Sequence, residues 1–211
     1  MWRIGTRTGA RAAAIWLGAV ATALIGAGSA GAAETVFFAT PPKLPTLTGV
    51  TLNGRPQPIS TTWDLGASPF KITSFGTPFS GWNLTVSGNS AAGSSAVFKE
   101  YCPNATCGTH TGPGYITGGL TLQADSLTWS SGAASWTGAA PRPVYQCLAG
   151  CHVDNATPVK FVSAGAGVAN NTTWTTTGST TLSLATPASL LKLQTNEVYR
   201  LDVVWTLNTG P

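Results

Sequence analysis

Four cysteines, two histidines and seven carboxylates are the metal-ligating and acid–base groups that this 211-residue chain offers. The cysteines fall as two local couples, Cys102 with Cys107 and Cys147 with Cys151. His110 lies three residues after Cys107, and His152 directly follows Cys151. The carboxylates are Glu34, Asp64, Glu100, Asp125, Asp154, Glu197 and Asp202. Three kinds of chemistry are open to such a set. Cysteine couples close as disulfides in an oxidising compartment or, with histidines, hold zinc. A histidine serves as a base near neutral pH, and two carboxylates flanking one bond make a glycosidase. Spacing alone nominates no carboxylate pair. The sequence has no nucleophile elbow after position 33, no phosphate loop with lysine, no H-E-x-x-H and no EF-hand loop. No catalytic residue, cofactor or metal is therefore expected, and both histidines read as polar surface residues within cysteine loops.

The choice between disulfide and zinc turns on compartment, and the first 33 residues bear on it. Arg3, Arg7 and Arg11 precede an apolar stretch over residues 12–25, followed by the small-residue run Gly28-Ser29-Ala30-Gly31-Ala32-Ala33. That is the layout of a secretory signal peptide over residues 1–33, with cleavage near Ala33 or Glu34. The apolar stretch falls short of the roughly 20 residues of a spanning helix, so no membrane span is expected in the mature chain. Residues 34–211 keep 8 Lys+Arg against 7 Asp+Glu, nearly neutral, which argues against nucleic acid as a partner. Export favours disulfides, and the two short loops Cys102–Cys107 and Cys147–Cys151 require the least chain closure. Neither couple has the C-x-x-C spacing of common zinc knuckles, which leaves zinc the weaker alternative.

The elements that must carry these groups alternate with period two. Tyr199, Leu201, Val203, Trp205 and Leu207 put large side chains on one face of a strand, and Trp82, Leu84 and Val86 do the same. Thr35–Thr40 and residues 119–123, 126–130, 159–163 and 180–184 have matching β-branched and aromatic content. Gly, Pro and Asn clusters separate them, Asn53-Gly54, Gly112-Pro113-Gly114 and Gly165-Ala166-Gly167 among them. A helical turn is expected at residues 187–192, with Thr186 as cap and Pro187 at the first helical position. Only 9% of residues are charged, so Thr, Ser, Asn and Gly must cover the surface. These patterns predict an all-β protein: one antiparallel β-sandwich or flattened barrel over residues 34–211.

A Trp-x-Leu triplet occurs twice, as Trp82-Asn83-Leu84 after Gly81 and as Trp205-Thr206-Leu207 near the C-terminus, between Tyr199 and Pro211. In these two segments and their order the chain resembles the WxL domain family of Gram-positive bacterial surface proteins. It departs from the family's pattern in its cysteine couples and in Asn196-Glu197-Val198, where a glycine commonly precedes the tyrosine. The resemblance implies a secreted, non-enzymatic protein held non-covalently on the cell wall, binding peptidoglycan, often beside a membrane-anchored surface protein. A nearly neutral, hydroxyl-rich surface suits uncharged glycan.

Two roles stay open for Trp82, Leu84, Trp205 and Leu207. Residues two apart share a strand face, so each triplet offers a joined aromatic and aliphatic surface. That surface either packs as core or stands out as a platform for sugar rings. An unbroken apolar row through Leu207 favours the core, because an exposed stripe of that length threatens solubility. An adhesive protein–protein module is the alternative function, and a secreted hydrolase the less favoured one.

Overall fold

The computed structural model describes residues 12–21, 35–45, 47, 50–51, 54–76, 80–167 and 171–210, with the backbone alone at 12–21 and 50–51. The expected cleavage point and Asn53 lie outside the described residues. In chain order the strands are β1 (Ala12–Ala21), β2 (Thr35–Thr40), β3 (Val50–Thr51), β4 (Gln57–Asp64), β5 (Lys71–Phe75) and β6 (Trp82–Gly88). Short strands follow around the first cysteine couple: β7 (Lys99–Cys102), β8 (Thr106–Cys107), β9 (His110–Thr111) and β10 (Gly114–Tyr115). Then come β11 (Leu127–Ser130), β12 (Ser135–Thr137), β13 (Val144–Tyr145) and β14 (Cys151–His152). The chain closes with β15 (Val159–Ala164), β16 (Thr172–Thr177), β17 (Ser179–Thr186) and β18 (Val198–Thr209).

The fold is all-β, and its sheets pack together around a shared core as a sandwich. The largest sheet is organised by β18. Along one edge β18 pairs with β6 at Val203–Thr209 and with β7 at Val198–Arg200, while β1 runs parallel along the other edge from Val198 to Trp205. β15 and β13 extend this sheet beyond β6. Two four-stranded sheets, β14-β11-β17-β4 and β12-β16-β5-β2, face it. Every pairing other than β1 with β18 is antiparallel among the described residues. The apolar segment expected as a leader is thus a strand here, and it gives the first half of β18 a partner on both edges.

The sequence pattern explains which faces turn inward. In β6, Trp82, Leu84 and Val86 are buried while Asn83, Thr85 and Ser87 are half-buried. β17 alternates in the same way, with Thr180, Leu182 and Leu184 inward. Rings from three sheets meet in the core: Trp205 lies 6.5 Å from Trp63 and 5.0 Å from Phe161, and Trp82 lies 5.9 Å from Trp174. Gly81 enters β6 at φ +95°, where an added Cβ would stand 2.4 Å from the carbonyl oxygen of Ala164. That backbone approach admits only glycine. The C-terminal tail closes over the same point, with Gly210 N donating to Gly81 O at 2.8 Å.

Two expected elements differ. Residues 119–123 make no strand, only a bridge between Thr121 and Lys99, because Gly118 and Gly119 turn the chain beside Ile116. Residues 187–192 form a turn, with Leu190 N donating to Pro187 O at 3.2 Å, and not a helix. Six residues cannot offset the cost of helix nucleation without a packed apolar face. Among the described residues no helix is long and apolar enough to cross a membrane.

Candidate functional site

The two Trp-x-Leu segments are neighbours. β6 and β18 pair so that Leu84 stands opposite Leu207, Val86 opposite Trp205 and Trp82 opposite Thr209. All four side chains are buried, Trp82 and Leu84 at 0% exposure, Trp205 at 2% and Leu207 at 4%. The tryptophans are joined through the core by Trp205–Phe70, Phe70–Trp136 and Trp136–Trp82 contacts of 6.4, 5.2 and 6.1 Å. In this packing no ligand reaches them; groups able to meet one lie elsewhere.

Both expected disulfides are formed, Cys102–Cys107 and Cys147–Cys151. Beside each, a histidine meets two carboxylates that lie far from one another in sequence. Beside the first, His110 on β9 meets Glu197, which immediately precedes β18, and Glu100 on β7. His110 Nδ1 lies 2.5 Å from Glu197 Oε1, and Glu197 Oε2 accepts from the Gln194 amide at 2.7 Å. Glu100 Oε2 accepts from the Leu120 amide at 2.9 Å, and the two carboxyl groups hydrogen-bond each other. Both glutamates are 5% exposed. Burial, then the hydrogen bond to Glu197, pushes the Glu100 carboxyl up. Burial also works to raise Glu197, but hydrogen bonds from His110, Glu100 and the Gln194 amide outweigh it and hold that carboxyl below its ordinary value. The two carboxyls are thus pushed in opposite directions, Glu100 up and Glu197 down, with Glu197 facing His110. Carboxyl groups in direct hydrogen-bond contact are closer than the roughly 5–5.5 Å of a retaining glycosidase pair. The arrangement ties β7, β9 and β18 together.

Beside the second disulfide, His152 on β14 meets Asp125 and Asp154. Asp125 sits in the turn before β11 at φ +64° and accepts a hydrogen bond from Asn155 Nδ2. Asp154 is wholly buried; its Oδ2 accepts from the Ser126 amide at 2.9 Å, and its Oδ1 has no hydrogen-bond partner among the described residues. Burial pushes its carboxyl up. His152 and Asp125 are exposed, so this cluster opens to solvent.

The open cluster borders a hydroxyl-bearing face. In the sheet β14-β11-β17-β4, Ser60, Ser183, Thr128 and His152 stand in one row across four strands, and Thr62, Thr181 and Ser130 in the next. Alternation places Ser60 and Thr62 outward opposite the buried Ile59 and Trp63. Ser60 Oγ lies 3.1 Å from Ser183 Oγ, and Thr128 Oγ1 3.4 Å from His152 Nδ1.

No protein-family model, curated protein or solved structure matches the chain. The carboxylate partners are what the sequence concealed. Glu100 and Glu197 are 97 residues apart in the chain and Asp125 and Asp154 are 29 apart, and only sheet pairing brings them together. The usable signal was the cysteines: a disulfide holding a histidine in place marks a loop whose neighbours are fixed.

Proposed function

We propose that the chain is a secreted, non-catalytic surface protein that attaches non-covalently to the bacterial cell wall, binding peptidoglycan, and that its Trp-x-Leu segments act as the sheet's spine. One observation carries this reading: the two triplets, more than a hundred residues apart, lie side by side on β6 and β18 with Leu84 opposite Leu207. That juxtaposition gives a physical reason for two motifs in one domain, as the resemblance to the WxL family implies. Sequence supports export through the leader layout of residues 1–33, whose cleavage would remove β1 and leave that edge of β18 open, and through the cysteine couples, which close as disulfides.

With the motif side chains inside, wall contact falls to the outer face. The Ser60–Ser183–Thr128 and Thr62–Thr181–Ser130 rows offer hydroxyl donors and acceptors at strand spacing without a strong charge, chemistry suited to uncharged sugar. A membrane-anchored surface protein is the further partner that the reading carries. The test is sedimentation of the purified protein with insoluble wall, with and without its detached polysaccharide. Binding to purified peptidoglycan, lost by tenfold or more in a Thr62→Lys, Ser183→Lys double variant of unchanged melting temperature, is the expected result. No sedimentation, with capture of a surface protein instead, would favour the adhesive alternative.

A further inference from the structure

We propose that Asp125, His152 and Asp154 form a binding site for one divalent cation of the zinc class. One donor atom from each residue lies within 4.8 Å of the other two. Donors held about 2.0–2.2 Å from a tetrahedral ion stand roughly 3.4 Å apart, so the three need close by little more than an ångström at most. Asp125 and His152 are exposed, and their hydrogen bonds to Asn155 and Thr128 lie at the surface, where such an adjustment costs little.

The observation that points to a cation is Asp154. Both oxygens of a wholly buried carboxylate ordinarily find a partner. The Ser126 and Leu127 amides face the Asp154 carboxyl, Ser126 donating to Oδ2 at 2.9 Å, yet Oδ1 is buried with no hydrogen-bond partner among the described residues. No ion pair to it is formed among them either. Two carboxylates and a neutral imidazole would balance a double positive charge.

Ligand chemistry sets the class. Calcium seeks six to eight oxygens, whereas an imidazole with two carboxylates suits zinc and its neighbours. The frame around the site is firm: Cys151, adjacent to His152, is tied to Cys147, and Thr128 Oγ1 stands 3.4 Å from His152 Nδ1 as an outer partner for the ring. Three protein ligands with two exposed members leave the remaining positions to solvent. The Glu100–His110–Glu197 cluster has the same ligand types, but both Glu197 oxygens and Glu100 Oε2 are already engaged there.

The oxidised full chain, stripped of metal, should be titrated with zinc chloride in a calorimeter. One ion per chain is expected, with His152→Ala and Asp125→Ala each weakening the Kd at least tenfold. Both positions are exposed, and equal melting temperatures without zinc would show that these variants fold. His110→Ala should hold the Kd within twofold, and calcium should bind at least tenfold more weakly than zinc. Absence of saturable binding, retention of it in His152→Ala, its loss in His110→Ala, or equal affinity for calcium would each overturn the proposal. Sedimentation with wall material is a separate readout, so failure of one reading leaves the other standing.

Discussion

The two disulfide loops begin from one inventory and end as opposites. Each supplies a short closed loop, one histidine and two carboxylates well separated in the chain. At the first, His110 turns toward Glu197 and the glutamates are buried, their carboxyls pushed in opposite directions. At the second, His152 and Asp125 face water and Asp154 stays inside with one oxygen unpartnered. Position relative to β18 accounts for the difference. The first cluster lies where β18 begins, beneath the β8–β9 hairpin; the second lies at an edge strand of a four-stranded sheet, where nothing among the described elements continues the pairing. Residue types alone therefore do not distinguish a latch from a binding site; the depth of the histidine does.

If β18 is what makes the first region structural, its core row should carry the largest cost. Trp205→Ala is expected to lose about 3–5 kcal/mol through lost burial and a residual cavity, measured by denaturant unfolding. Trp205→Phe should cost clearly less, because the indole N–H is buried without a partner among the described residues and its removal loses no hydrogen bond. Native stability in Trp205→Ala would show that the row is not core.

Next in size comes the latch itself. Glu197→Ala removes the acceptor for His110, Glu100 and the Gln194 amide together, and should cost about 2–3 kcal/mol. His152→Ala, its counterpart in the open region, should stay within about 0.5 kcal/mol in metal-free buffer. Equal losses at the two sites would erase the contrast. Opening either disulfide by a double alanine replacement should cost about 2 kcal/mol, from closing loops of so few residues. Hydrogen exchange should then separate them: loss of Cys102–Cys107 loosens β8–β9 and releases His110, while loss of Cys147–Cys151 loosens only the β14 edge.

Much of this frame was legible in the chain. Period-two rows located β6 and β18 nearly to the residue, β-branched content marked β17, and cysteine spacing, with export expected, selected the disulfides now seen. The row from Tyr199 to Leu207 also pointed to the core, because its length left no soluble alternative. What stayed hidden depends on register between distant strands. Glu100 precedes a turn and Glu197 follows one, and only the pairing of Tyr199 with Glu100 sets them together. Likewise Asp154 looks like any polar loop residue until the Ser126 turn covers it. The short strands β8, β9, β10 and β14 are two residues each, too brief for any periodicity to register.

A smaller loss or gain, confined to part of the pH range, tests which form of Glu100 works in the closed cluster. Glu100 has a raised carboxyl, so the stability it contributes is complete below its ordinary value of 4.5 and is lost as pH rises through its folded value. Glu197 has a lowered carboxyl and works the other way: its contribution is present above 4.5 and is lost as pH falls. Glu100→Gln keeps a donor toward Glu197 and an acceptor for the Leu120 amide while never ionising. It should match wild type in acid, where Glu100 is protonated anyway, and exceed it above the folded value by on the order of 1 kcal/mol. Melting temperatures across that range would read the difference as two curves that meet at low pH and separate upward. If Glu100→Gln were instead less stable at neutral pH and equal to wild type nowhere, the carboxylate itself would be the working form, and the first cluster would be as short of a cation as the second.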